Sequence, residues 1–352
     1  MPVLFIPIAF LPVLTFLVLL ILFDSFKLVP TSMFVRALAA GALAAVAATL
    51  LHRVLFLTVG LETRTLTHYV APVTEETLKM LFVLWALYRK KIGFLVDAAI
   101  IGFAIGAGFA VVENIDYLQR LTDSRIWIWI VRGFGTAILH ALTTAIVAIG
   151  TKAILDRRPN HPWLAVLPPW LVAVLLHSAF NHALVSPVLA AAILMLVLPL
   201  VVLVVFTLSE RQTREWIGAG LDLDVELLQL VKSSHFGGTR LGRYLAELRS
   251  RFPGPVVADM FCLLQLDLEL AIRAKGMLMA REAGLSVPID DALRARLAER
   301  EYLEKAIGRT GLIALRPLQV TSDFDHWHRH LLEHQVRARP QILQNGPKKP
   351  IL

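Results

Sequence analysis

Charge is scarce in this 352-residue chain: 18% of residues are charged and 57% are hydrophobic, for a mean hydropathy of +0.65. A soluble domain of this length needs more charge on its surface, so the scarcity excludes an ordinary soluble fold and implies a membrane protein. Cysteine is scarcer still. Cys262 stands alone, which excludes an intrachain disulfide and fits a reducing compartment for the segment that carries it. Basic blocks interleaved with aromatics are missing, so the net charge of +8 does not mark a nucleic-acid binder; topology and anionic lipid headgroups account for it. The stretch Pro2 to Phe23 lacks a basic n-region and a small-x-small cleavage site, and reads as a first transmembrane helix rather than a signal peptide. There is no fixed-period repeat, nucleotide loop or zinc knuckle.

What charge there is falls unevenly. Residues 1–208 hold 14 of the 35 Lys/Arg and 9 of the 27 Asp/Glu, which leaves 21 and 18 for residues 209–352. Two media follow: a lipid-embedded part, and a water-soluble tail long enough for a small core of its own. A span needs about 20 apolar residues, and seven stretches qualify: roughly 3–23, 33–60, 68–88, 94–114, 127–152, 163–183 and 188–208. Pro168-Pro169 either kinks the sixth or marks its start. Lys27, Arg89, Lys90, Lys91, Lys152, Arg157 and Arg158 fall on one side of these spans, and Arg64, Arg120 and Arg125 on the other. The basic side is cytoplasmic by the positive-inside rule, which puts the N-terminus outside and the tail inside. The expected fold is an all-α, polytopic membrane helix bundle in the cell membrane, over residues 1–208. A cytoplasmic helical domain over 209–340 and a disordered tail over 341–352 follow it. In that domain one helix runs from Val256 to a Gly284 cap, a second starts near Asp290 and continues through DALRARLAEREYLEKAIG, and a third holds FDHWHRHLLEHQ.

Ionisable residues inside a membrane cost roughly 2.5–3.5 kcal/mol each at a helix centre and need a reason to be there. Glu75, Glu76 and Lys79 lie on the third span, Glu113 and Asn114 end the fourth, His140 lies on the fifth, and His177 and Asn181 on the sixth. Given the orientation, all of them fall in the outer half of the membrane or near its middle. Independent structural ion pairs have no cause to agree in depth. Spacing of i, i+4 aligns Glu75 with Lys79 and His177 with Asn181, while Glu76 projects about 100° from Glu75. Gly102, Gly106 and Gly108 give the fourth span a small-residue strip for close helix approach. Such a set suits amide hydrolysis, which needs an activated water, a proton donor for the leaving amine and an oxyanion partner. Glu75 and Glu76 are the candidate acid–base groups, with Asn181 as oxyanion donor or as a partner that orients His177. Glu113, His140 and His177 are a plausible zinc ligand set with room for the water.

Four short motifs carry a family resemblance: EETLK (Glu75 to Lys79), GAGFAVVEN (Gly106 to Asn114), HALTTA from His140, and HSAFN (His177 to Asn181). Together, in this order on successive helices, they resemble the PrsW family of bacterial intramembrane proteases, related to the CAAX prenyl proteases of the Abi superfamily. The resemblance covers roughly residues 68–185. It implies a helical membrane core, a proteolytic site built from these glutamates and histidines, and a membrane-anchored protein substrate, in some relatives an anti-sigma factor. PrsW proteins are grouped as metallopeptidases, while CAAX-type relatives resemble glutamate-dependent proteases, so zinc and a metal-free mechanism both stay open. Residues 209–352 lie outside the resemblance, and a cytoplasmic partner for them is unknown.

Other polar residues read as structural. Asp97 is an interfacial acid beside Lys90 and Lys91, Arg132 snorkels at the outer interface, and His52 and Arg53 have no evident partner. His326, His330 and His334 form a solvated histidine face. Two further functions compete with hydrolysis: an ion- or proton-coupled transporter or channel using the same polar cluster, and a membrane scaffold presenting the tail. The lack of an internal repeat counts against a transporter.

Overall fold

A computed structural model describes residues 5–24, 29–120, 125–157, 162–285, 290–315 and 317, none of which lies in a strand. The chain divides into two compact units, Met1–Gln212 and Thr213–Leu352.

The first unit is a bundle of α1 (Ile6–Phe23), α2 (Thr31–Val59), α3 (Ala71–Tyr88), α4 (Leu95–Arg120), α5 (Ile126–Arg157), α6 (Pro162–Asn181) and the first part of α7 (Pro187–Lys232). Five of them, α2, α4, α5, α6 and α7, are long and apolar enough to cross a membrane. The two other expected spans differ for definite reasons: α1 has a shorter apolar stretch, Ile6–Leu22, and α3 carries Glu75, Glu76 and Lys79 within its 18 residues. Pro168 and Pro169 both lie inside α6. The last helix continues well past residue 208 for 46 residues in all.

Helix α4 is the core of this unit. Of its apolar stretch 89% is buried, against 17% for α7. Its small residues make this possible, as the sequence strip suggested. A Cβ at Gly106 would overlap the His140 carbonyl of α5, and one at Gly108 the Leu38 carbonyl of α2. In a membrane, where apolar burial does not drive association, such close backbone contact holds helices together by dispersion. The start of α4 corrects one expectation. Asp97 is buried, and its Oδ2 accepts the N–H groups of Gly93 and Phe94 at 2.9 Å each. It satisfies otherwise orphaned helix-start donors rather than sitting as an interfacial acid.

Two helices change their winding before they reach the site. A wider π-type stretch, Leu66–Val70, leads into α3, and another, Val131–Thr136, lies inside α5. Such stretches rotate the residues around them and recur at functional sites.

The second unit contains α8 (Arg240–Leu248), α9 (Gly254–Glu282) and α10 (Asp291–Leu315). Leu263, Leu266, Leu270 and Ala274 make one face of α9 and form a core with Leu293, Leu303 and Ile307 of α10, which is the i, i+3, i+7 pattern of an amphipathic helix. Thr239 caps α8 and Asp290 caps α10, each accepting a backbone N–H at 3.0 and 2.8 Å. Gly284 has φ of 74° just past α9, as its capping role requires. The second expected helix, read through Gly308, is interrupted there, where the backbone turns to φ 70°, ψ 171°, and helix resumes to Leu315. Lys27, Arg158, the FDHWHRHLLEHQ helix with His326, His330 and His334, and residues 341–352 lie outside the described residues.

Candidate active site

Five helices, α2 to α6, converge on one cavity of about 630 Å³, lined among others by His52, Glu75, Glu113, Arg132, His140 and His177. Asn181 lines it as well. The expected site residues are brought together across up to 106 positions of sequence, from Glu75 to Asn181, with one exception: Glu76 faces away from the cavity into the bundle.

Glu76 is fully buried, and its Oε1 is the acceptor for three groups. Lys79 Nζ donates at 2.6 Å, His177 Nδ1–H at 2.9 Å and Thr143 Oγ1 at 3.2 Å. Lys79 therefore pairs with Glu76 at i, i+3 and not with Glu75 at i, i+4. Both spacings share a helix face, and the position of α5 and α6 decides between them. Lys79 also reaches His140 Nδ1 at 3.1 Å and lies 4.7 Å from the centre of the Phe109 ring. One buried ammonium thus serves a carboxylate, an imidazole and an aromatic face, the compensation a charge needs away from water.

Histidine tautomers follow from these partners. Glu76 accepts the Nδ1 proton of His177, so the Nε2 lone pair of His177 is free and lies 3.9 Å from Glu75 Oε2. Lys79 donates to His140 Nδ1, so His140 Nε2–H donates to Glu113 Oε2 at 2.9 Å. Each histidine is oriented by a carboxylate, and each of those carboxylates by a buried cation. Lys79 holds Glu76, and Arg132 Nη2 approaches Glu113 Oε2 at 3.1 Å. That approach is an ion pair rather than a well-directed hydrogen bond, since Nη2 makes none.

Glu75 is the carboxylate left over. Among the described residues no lysine or arginine pairs with it; its Oε1 lies 4.0 Å from His52 Nδ1, and its buried Oε2 makes no hydrogen bond. Donor atoms of Glu75, His140 and His177 lie within 4.8 Å of one another. An orphaned carboxylate oxygen facing a free imidazole nitrogen is the chemistry a divalent metal would satisfy, so Glu75 and His177 fit a zinc ion, and His140 joins them on giving up its contact with Lys79 or Glu113. The sequence grouped Glu113 with the two histidines; here Glu75 joins them and Glu113 hydrogen-bonds His140. Asn181 donates its amide N–H to the Thr67 carbonyl at 2.9 Å, and Ser178 Oγ donates to His68 O at 2.7 Å. Both bonds tie α6 to the π-type stretch before α3.

Two residues the sequence reading set aside belong here. His52 pairs with Thr74 Oγ1 at 2.7 Å and lines the cavity. Arg132 does not snorkel: it is buried, its Nε donates to Asn114 Oδ1 at 2.8 Å, and its guanidinium stacks 3.5 Å above the Tyr117 ring. The available signal was the one already used for the others, an ionisable residue within an apolar span.

Fold and site together define a multi-pass helical membrane protein with a buried glutamate–histidine centre. Residues 29–208 match the family described as PrsW family intramembrane metalloprotease, and the chain belongs to that family. No curated protein and no solved structure matches it.

Proposed function

We propose that this chain is an intramembrane endopeptidase that hydrolyses a peptide bond of a membrane-anchored protein, with Glu75 as the group that activates water. The observation that carries the reading is the unpartnered Glu75 Oε2 facing the free Nε2 of His177 in a cavity. Glu76 and Glu113, the other carboxylates of the site, are already held by cations.

The substrate carbonyl enters the cavity against Glu75. A water gives one proton to Glu75 as its oxygen bonds to the carbonyl carbon, and the carbonyl oxygen becomes an oxyanion. The remaining amide N–H of Asn181, which lines the same cavity, is the donor for it, while His177, held by Glu76 through Nδ1, presents its Nε2 lone pair to the attacking water. When the tetrahedral species collapses, the C–N bond breaks and Glu75 passes the proton to the leaving amine, giving a carboxyl and an amino terminus. Glu75, His140 and His177 would hold a zinc ion, which when bound supplies Lewis acidity and a water of lowered pKa. One observation favours a metal-free variant of the same reaction: both nitrogens of His140 are engaged, by Lys79 and Glu113.

The accompanying topology is seven membrane passes, with α1 and α3 completing the five apolar helices, in the cell membrane. The N-terminus is outside, a transmembrane core spans 1–208, and a cytoplasmic helical domain over 209–340 meets a partner of its own. The decisive experiment is cleavage of a single-span reporter by the full chain in liposomes. Glu75→Gln lowers turnover about 10²–10⁴-fold with normal insertion; cleavage retained in that variant refutes the proposal. Zinc bound at one per chain and lost in His177→Ala supports the metal mechanism, and zinc absent from an active wild type supports the metal-free one.

A further inference from the structure

Helix α1 lies outside the family match, which begins at residue 29, yet it reaches the site by a continuous polar chain. The Ala9 carbonyl of α1 accepts the Asn114 side-chain N–H at 2.8 Å. Asn114 Oδ1 accepts Arg132 Nε at 2.8 Å, Arg132 Nη2 is 3.1 Å from Glu113 Oε2, and Glu113 Oε2 accepts the Nε2–H of His140 at 2.9 Å. Four links join a backbone carbonyl of α1 to a site histidine. A second contact holds α1 at the same level. Gly133, next to Arg132, lies where any Cβ would overlap the Ile8 carbonyl, and Phe5 stacks on Trp129 with ring centres 6.0 Å apart.

We infer that Arg132 is a positioning residue for His140, and that α1 is part of the catalytic apparatus because it anchors Arg132 through Asn114. This rests on the protease reading above. Geometry is what assigns Arg132 this role rather than that of a simple counter-charge. Its planar fork spans Asn114 with one nitrogen and Glu113 with another while its face covers Tyr117, and a lysine ammonium cannot do all three. Asn114 has its donor on α1 and its acceptor on Arg132, so it transmits the position of α1 and nothing else. Glu75 takes no part in this chain of contacts. Breaking the chain of contacts leaves Glu75 in place and disturbs His140, so it is expected to act on kcat more than on KM.

The test is turnover and KM of the full chain in liposomes, with a membrane-anchored reporter. Arg132→Met and Arg132→Lys both lower kcat about 10–100-fold, the range for residues that orient a catalytic group, and KM stays within about twofold of wild type. Asn114→Leu, at the far end of the chain of contacts, and Gly133→Val, which displaces α1 through the Ile8 backbone without altering a side chain of that chain of contacts, lower kcat in the same sense. These two keep the inference testable if the Arg132 variants do not fold. Arg132→Lys at wild-type kcat overturns it in favour of a bare counter-charge. A rise in KM alone in Arg132→Met overturns it in favour of a substrate-binding arginine. Full activity of both Asn114→Leu and Gly133→Val removes α1 from the site. If the wild-type chain cleaves nothing, it is the protease reading that fails.

Discussion

Lys79→Met removes the cation from the most deeply buried ion pair of the site. Both side chains of the Glu76–Lys79 pair are 0% exposed, 2.6 Å apart. After the substitution Glu76 Oε1 keeps only the His177 N–H at 2.9 Å and the Thr143 hydroxyl at 3.2 Å, two neutral donors for one charge. Removing one partner of a buried pair leaves the other uncompensated and costs about 3–5 kcal/mol. Replacing both partners by neutral groups of similar volume is far cheaper, because no charge is then stranded. The double variant Glu76→Gln/Lys79→Met is therefore expected to be more stable than Lys79→Met alone, with a coupling of about 2 kcal/mol or more between the two positions. Reversible unfolding in mixed micelles on the four proteins closes the cycle. Activity separates a second role, since the double variant stays slow. A neutral amide in place of the Glu76 carboxylate no longer draws the Nδ1 proton of His177, and a methionine gives His140 no donor. A Lys79→Met cost below about 1 kcal/mol, or strictly additive losses in the double variant, refutes the reasoning.

Three further outcomes are expected. Gly106→Val drives a side chain into the His140 carbonyl, costs about 1–3 kcal/mol or more and abolishes turnover, as measured by unfolding and by reporter cleavage. His52→Ala lowers kcat about tenfold with unchanged insertion, because His52 Nδ1 lies 4.0 Å from Glu75 Oε1; no change in kcat would return His52 to a packing role. In the second unit, Glu269 is held below the usual carboxylate range, first by the hydrogen bond from Lys232 and then, against some desolvation, by Gln265 and the charges of Lys232 and Arg296. A depressed acid stabilises above its unfolded pKa and loses that contribution as pH falls through its folded value. Hydrogen exchange of α9 therefore differs between wild type and Glu269→Gln at neutral pH and converges on acidification; a gap that widens in acid contradicts this.

Which residues meet was legible in the sequence, and how they divide the work was not. Depth alone, read from span length and loop charge, brought Glu75, Glu76, Glu113, His140, His177 and Asn181 to one level, because the cost of burying a polar group is set by the medium and is visible in composition. Azimuth is set by tertiary packing. Glu75 and Glu76 are adjacent, and only the position of α6 makes one of them the support of His177 and leaves the other open to the cavity. Lys79 can serve either, at i+3 or i+4. Arg132 shows the same limit from another side. In a regular α-helix, eight residues place it about 80° from His140. The π-type turns of Val131–Thr136 take more residues per revolution and bring it round to the face of His140, and nothing in the residue pattern marks that change of winding.

The division of labour that results has a physical logic. Three carboxylates in one apolar bundle repel one another, and two of them are neutralised by cations from within the bundle, Lys79 for Glu76 and Arg132 for Glu113. Each neutralised carboxylate is then free to orient a histidine, which a repelled or protonated one would not do. The third, Glu75, is left with a free oxygen, and the cost of leaving it so is borne by the packing of five helices around it. Glu76 also leaves one oxygen, Oε2, without a hydrogen bond, but its Oε1 is held by Lys79, His177 and Thr143, whereas among the described residues no lysine or arginine pairs with either oxygen of Glu75. His52 Nδ1 lies 4.0 Å from Glu75 Oε1, and the unprotonated Nε2 of His177 lies 3.9 Å from Oε2. A separation of 3.9 Å leaves room for an ion held by both atoms, or for a water that bridges them from the side, which is what the protease reading asks of Glu75 and His177.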